Sequence, residues 1–109
     1  MPWLLRDGDV LASLEVADGI AARTRGLLGR DGLDGALLLR PAMQVHTLGM
    51  RFAIDIAFCD RDLNVVSIVR DMRPWRMGRP RIGVRAVIEA ETGSFVRWNL
   101  AVGDALEIG

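Results

Sequence analysis

Residues 53–72, AIDIAFCDRDLNVVSIVRDM, decide how this chain folds. "AIDIAFCD" (53–60) and "VVSIVRDM" (65–72) are rich in branched apolar residues, as strands are, and "DRDLN" (60–64) between them is turn chemistry, so the segment predicts a β-hairpin. Because side chains alternate along a strand, Ile54, Ile56 and Phe58 share one face while Asp55, Ala57 and Cys59 share the other. A sheet closing into a barrel buries the first set and leaves the second under a helix or facing solvent.

Working outward, "VLASLEVA" (10–17) alternates and reads as a strand, and Asp18 after it can cap a helix. That helix starts near Gly19: in "GIAARTRGLLGR" Ile20, Ala21, Leu27 and Leu28 recur at helical spacing, the Arg residues point elsewhere, and Gly29 stops the run. "GALLLRP" (35–41) reads as a buried strand closed by Pro41. "MQVHT" (43–47) reads as another strand, followed by a turn at Gly49. "RPWRMGRPRIG" (73–83), with two Pro and two Gly, is a loop. "RAVIEAETG" (85–93) is a strand, "SFVRWNL" (94–100) a short helical turn and "GDALEIG" (103–109) the closing strand. Six or seven short strands and one main amphipathic helix predict an α+β class, with a compact, mostly antiparallel, β-barrel-like sheet.

The chain has 109 residues, the usual size of one domain, so 1–109 is read as a single domain. Half of it is hydrophobic, and its 14 basic residues, all Arg, balance 14 acids, which supports a packed core under a mixed surface. A net charge of zero argues against nucleic acid as a partner, since that binding needs a positive surplus against phosphates. One Cys cannot form an internal disulfide and suits a reducing cytosol. The opening "MPWLLRDGDVLASL" has no basic start followed by a long apolar run, and no stretch reaches the roughly twenty apolar residues of a membrane span. The expectation is a cytoplasmic protein with no membrane partner.

No phosphate loop, dinucleotide fingerprint or paired-cysteine metal motif is present, so no cofactor is expected. The order of "RTRGLLGRDGLDGALLL", "IDIAFCDRDLNVVSIV", "VIEAETG" and "GDALEI" resembles the bacterial and archaeal domain of unknown function family 192, DUF192, from about Ala22 to Ile108. The family's Gly-Leu-Met-Gly-Arg run, preceded by an Arg, matches Arg23 or Arg25 with Gly26, Leu27, Leu28, Gly29 and Arg30. Its Leu-Asp pair matches Ile54 and Asp55, its Glu before a Gly matches Glu89 with Gly93, and its late Gly-Asp matches Gly103 and Asp104. Where many members carry Phe-Trp-Met-Lys-Asn-Thr, this chain has Val45, His46, Thr47, Leu48, Gly49 and Met50. The resemblance implies a compact β-barrel-like α+β domain and supplies no activity.

His46 is the sharpest chemical candidate, because imidazole titrates near neutrality and serves as base, acid or ligand. Against that stands a histidine that merely closes a turn. His46, Asp55 and Cys59 fit no chelating spacing, so no metal is expected. Asp55 and Glu89 are acids framed by apolar residues, a setting in which carboxylates are usually held by Arg or backbone amides. The functional alternative has both pointing into one cleft. Cys59 reads as a small buried hydrophobe. Residues 70–85 hold six Arg against one Asp, with Trp75 among them. Two readings follow. The preferred one is a non-enzymatic module in which Arg73, Trp75, Arg76, His46 and Arg51 bind a polar or anionic small molecule, a glycan or a peptide. The alternative is a small hydrolase or lyase using His46 with Asp55 or Glu89.

Overall fold

The computed structural model describes residues 2–109. Its first strand, β1 (Trp3–Arg6), turns back onto β2 (Asp9–Ala17). The turn is Asp7-Gly8, both at positive φ (52° and 81°), the backbone pattern that matches the twist of paired strands. β1 was missed in the reading above, although Asp-Gly between apolar runs is the signal for such a hairpin. After the short helix α1 (Ile20–Arg25) come β3 (Ala36–Leu39), β4 (Ile54–Cys59), β5 (Val65–Met72) and β6 (Ala86–Glu91). The second helix, α2 (Ser94–Arg97), and β7 (Leu106–Ile108) complete the chain.

The strands form one sheet in the order β5-β4-β6-β3-β2-β1-β7. Every pairing is antiparallel except β2 with β3, which the excursion through α1 makes parallel. The hairpin expected at 53–72 is present as β4 and β5. Its turn is built on Asp60, whose carboxylate accepts from the backbone N–H groups of Asp62 and Asn64 and from the Asn64 side chain. The two edge strands, β5 and β7, are linked near their starts by the Asn64–Ala105 bridge and by backbone bonds from Val65, Gly103 and Leu106. No ladder runs between them, so the sheet is strongly curled without being closed into the expected barrel. The radius of gyration is 12.5 Å, that of a compact domain of this length.

Both faces of the central strands β3, β4 and β6 are buried. All seven strands, with Phe95 of α2 and Leu100 after it, send side chains into one core that includes Leu4, Leu14, Leu38, Ala57, Cys59, Val65, Ile88 and Leu106. The opposite face of β3, β4 and β6 carries Leu37, Ile54, Ile56, Phe58 and Val87, covered by Leu27, Leu33, Val45, Met50 and Val84 from loops. The expected alternation in β4 therefore holds and the first set is buried as expected, while the second set is buried too, in the core that includes Phe95 of α2. The small residues Ala57 and Cys59 fill the curled inner side, where space is scarce, and the large set lies under loops.

Two further expectations are corrected. The main amphipathic helix is only six residues long and buries none of them; Ile20 is 78% exposed. Gly26, at φ 47°, ends it before Leu27 is reached, and Leu27 enters the core from the following turn. A helix of under two turns has too few internal bonds to persist by propensity. The strand expected at 43–47 is reduced to a bridge between His46 and Met77, with backbone bonds Gly78 to Val45 and Arg81 to Met43. No helix is long and apolar enough to cross a membrane among the described residues.

Candidate functional site

β4 and β6 run side by side with Asp55 opposite Ala90 and Ile56 opposite Glu89. Residues directly opposite in an antiparallel pair share a face, so the two candidate acids stand on opposite sides of the sheet. They do not point into one cleft, and Asp55 is removed as a partner for His46.

Asp55 is 1% exposed and both its carboxylate oxygens accept hydrogen bonds. One oxygen accepts from the Asp71 N–H at 3.0 Å, and the other from the N–H groups of Gly93 at 3.0 Å and Phe95 at 3.1 Å. Gly93 takes φ 91° where the chain leaves β6 for α2, a left-handed turn that suits glycine and presents its amide to Asp55. Asp55 thus caps α2 from across the sheet and pins the end of β5. It is held by backbone amides alone, and no guanidinium reaches it.

Glu89 is 5% exposed and has the opposite circumstances. No group among the described residues donates to its carboxyl, and burial alone pushes its pKa up to about 7. It lines a cavity of ≈ 70 Å³ whose wall is otherwise mostly apolar, from Leu27, Leu28, Leu39, Val45, Met50 and Val87. The polar remainder comes from Arg23, Thr24, Arg25, Gln44 and His46. Arg23 gives one guanidinium N–H to the Pro41 carbonyl at 2.8 Å, while its Nε is buried with no hydrogen-bond partner. Glu89 therefore fronts the cavity without a protein donor, whereas Arg23 Nε, sealed from solvent, does not open onto it.

His46 is exposed and lines the same cavity. Its Nδ1 accepts the Leu48 N–H at 3.2 Å, which leaves the proton of the neutral ring on Nε2. Arg73, Trp75 and Arg76 lie next to His46 along the fold, because Thr47 stitches their loop to it. Thr47 Oγ1 donates to the Arg73 carbonyl at 2.6 Å and accepts the Arg76 N–H at 2.9 Å, and backbone bonds join Thr47 to Trp75 and Arg76. Sequence reading gave Thr47 no role, and nothing but its β-branched type marked it. The Trp75 side chain is 67% exposed at φ 66°, and Arg73 and Arg76 make only long contacts, 3.9 Å to Asp71 and 3.5 Å to the Pro74 carbonyl. None of the three lines the Glu89 cavity. Arg51 pairs with Asp31 at 2.9 Å in solvent.

The arrangement can bind polar groups, since it offers the Glu89 carboxyl and the His46 Nε2. It supplies no ready nucleophile: Cys59 is wholly buried on the other face, and burial, reinforced by Asp60, pushes its thiol to about 12. No cluster of three His, Cys, Asp or Glu is arranged to hold a metal among the described residues.

Two separated segments that carry the family resemblance, supplying Arg23 to Leu28 and Glu89, converge on this cavity with Val45, His46 and Met50, where the chain departs from the family's pattern. The chain is 30% identical over 100 residues to the UPF0127 protein of Thermococcus sibiricus, an alignment covering 86% of this chain and 64% of that protein, so it spans less than two thirds of that relative. It is 28% identical over 99 residues to the UPF0127 protein of Pyrococcus abyssi, covering 86% and 84%. Among solved structures, a Novosphingobium aromaticivorans protein of unknown function superposes with a TM-score of 0.83 at 24% identity, over 97% of this chain and 83% of that one. A Sinorhizobium meliloti protein described as a candidate transcription regulator superposes with a TM-score of 0.82 at 21% identity, over 97% and 90%. At these identities the structural likeness speaks for the fold alone. The pattern of one family, DUF192, "Uncharacterized ACR, COG1430", matches residues 4–108, nearly the whole sequence, and the chain belongs to that family.

Proposed function

We propose that the protein is a small, non-enzymatic binding module whose site is the cavity between α1, the His46 turn and β6, and whose ligand is a polar small molecule. One observation carries this reading: Glu89, a residue only 5% exposed whose carboxyl has no protein donor, lines a cavity. Leaving such a group unmatched costs on the order of a few kcal/mol. A fold that needed only a core there would place an apolar residue, as it does at Val87 and Leu37 on the same face. The Arg73–Arg76 loop, expected as the binding edge, serves in this proposal to hold the His46 turn through Thr47.

A proton-transfer enzyme is the second reading, and it is favoured by His46 and Glu89 lining one cavity. The lack of a nucleophile beside them ranks it below binding.

Thermal-shift screening of small polar metabolites on the full chain and on Glu89→Leu tests the module. The expected result is hits that raise the melting temperature by several degrees and lose that effect in the variant. Hits that stabilise Glu89→Leu as well as the parent place binding elsewhere and overturn the proposal.

A further inference from the structure

Beyond that site, we propose that the protein has a second one, a docking groove for an acidic, apolar peptide segment of a partner protein, built where the chain leaves β3 and β4 and enters β6. The sheet register brings three arginines there. Cys59, the last residue of β4, stands opposite Ala86, and Leu39, the last of β3, stands opposite Val87, so the three strands share an end. Arg40 follows β3, Arg85 precedes β6 and Arg61 lies in the β4–β5 turn. Together they line one depression of ≈ 260 Å³ with Pro41, Leu63 and Ala86. All three arginines are exposed, and none is in an ion pair among the described residues. The acids nearest in sequence are Asp60 and Asp62 of the same turn, and the Asp60 carboxylate is committed to the turn amides and Asn64.

Pro41 and Arg85 also line a second depression, of ≈ 450 Å³, whose remaining wall is apolar, from Ala42, Met43, Ile82, Gly83 and Val84. Ile82 is 100% exposed. It stands at the tip of a turn in which the Val84 N–H donates to the Arg81 carbonyl at 3.3 Å and Gly83 takes φ 85°. Turn tips ordinarily carry Gly, Pro or small polar residues, so the turn itself has no use for an isoleucine there. The tip is also held in place. The Arg81 N–H donates to the Met43 carbonyl at 2.9 Å, and the Arg81 guanidinium lies over the Phe58 ring at 4.1 Å and donates to Ser67 Oγ at 2.9 Å. A fixed apolar rim beside unpaired arginines has the make-up of an interface centre, where Met and Arg are enriched and acids depleted. The guanidinium groups set the sign of the partner, since carboxylates between them give charge-assisted bonds and relieve their mutual repulsion. The apolar groove sets the rest. A small anion would fill the arginine depression and leave Ile82 in water, and a flat bilayer would meet the rims and leave both depressions unfilled. A segment with apolar side chains beside its acids covers all of it. Only Ala42 lines both this groove and the Glu89 cavity.

The test is an amide NMR titration of the full chain with a short capped peptide of alternating Leu and Glu, set against its Leu–Gln and Leu–Lys counterparts. The Leu–Glu peptide should shift the amides of Arg40, Met43, Arg61, Ile82 and Arg85 and saturate at a concentration at least about tenfold below either counterpart. Its affinity should fall as salt is raised. Arg85→Gln and Ile82→Ser, both on exposed side chains, should each weaken it by at least about tenfold, and their spectra report that the fold persists. Arg97→Gln removes the same charge beyond the far end of β6 and should leave the affinity unchanged, which separates this site from net charge. Equal affinity for the Leu–Gln peptide, shifts confined to other amides, or no saturable response overturns the proposal. Co-sedimentation with phosphatidylglycerol vesicles that Ile82→Ser abolishes, without a peptide response, assigns the surface to a membrane and overturns it too. Shifts of the same amides on concentrating the protein alone assign the groove to a second copy of the chain, with the same consequence.

Discussion

Asp55 and Glu89 are buried acids on neighbouring strands, on opposite faces of one sheet, and they have opposite fates. On the inner face, Asp55 receives three backbone N–H bonds, because the β6–α2 turn and the end of β5 converge on it. On the outer face, Glu89 receives none and fronts a cavity. The difference teaches that burial does not separate a structural acid from a functional one; the supply of donors does. A carboxylate with its donors in place holds the fold together. One without them waits for a partner or a proton.

The comparison breaks first at Asp55. Asp55→Ala leaves the amides of Asp71, Gly93 and Phe95 without their acceptor, the last of them buried, and should lower unfolding free energy by about 2–4 kcal/mol, read from the midpoint of a denaturant melt. A midpoint unchanged from the parent would mean that the amides find water and that the inner face is not the structural one. At the small end, the double substitution Trp75→Ala with Arg76→Ala removes an exposed ring and an exposed guanidinium. It should change stability by less than about 0.5 kcal/mol and leave ligand binding at the Glu89 cavity undiminished. Loss of binding with an intact fold would move the site from the cavity to the loop.

How far the sequence reaches follows the same contrast. The 53–72 hairpin was legible because Asp60 and Asn64 settle the turn locally, and the alternation in β4 followed from strand geometry. The DUF192 resemblance was legible in the order of its short runs. The length of α1 was not, since Gly29 and not Gly26 looked like the stop, and backbone sign at a glycine is decided by what packs around it. The parallel pairing of β2 with β3 depends on how the chain returns after α1, which periodicity does not record. Nor could sequence tell Asp55 from Glu89. The donors of Asp55 come from residues 16, 38 and 40 positions later. The cavity before Glu89 needs three distant segments together, and Arg23 was marked only as a motif residue.

The central claim is that Glu89 is buried without a donor, and its own titration tests that most directly. Burial favours the neutral form, so the folded-state pKa of about 7 lies above the ordinary 4.5, and the folded chain holds the extra proton between those values. Folding stability should accordingly be greatest below about pH 4.5 with respect to this group and fall as pH rises to about 7, by about 3 kcal/mol in all, a dependence absent in Glu89→Gln. Carboxyl carbon NMR of the ligand-free protein, with Glu89 assigned by that variant, should show a midpoint close to 7. A midpoint near the ordinary 4.5 would mean that Glu89 is solvated or already paired, and would contradict the account.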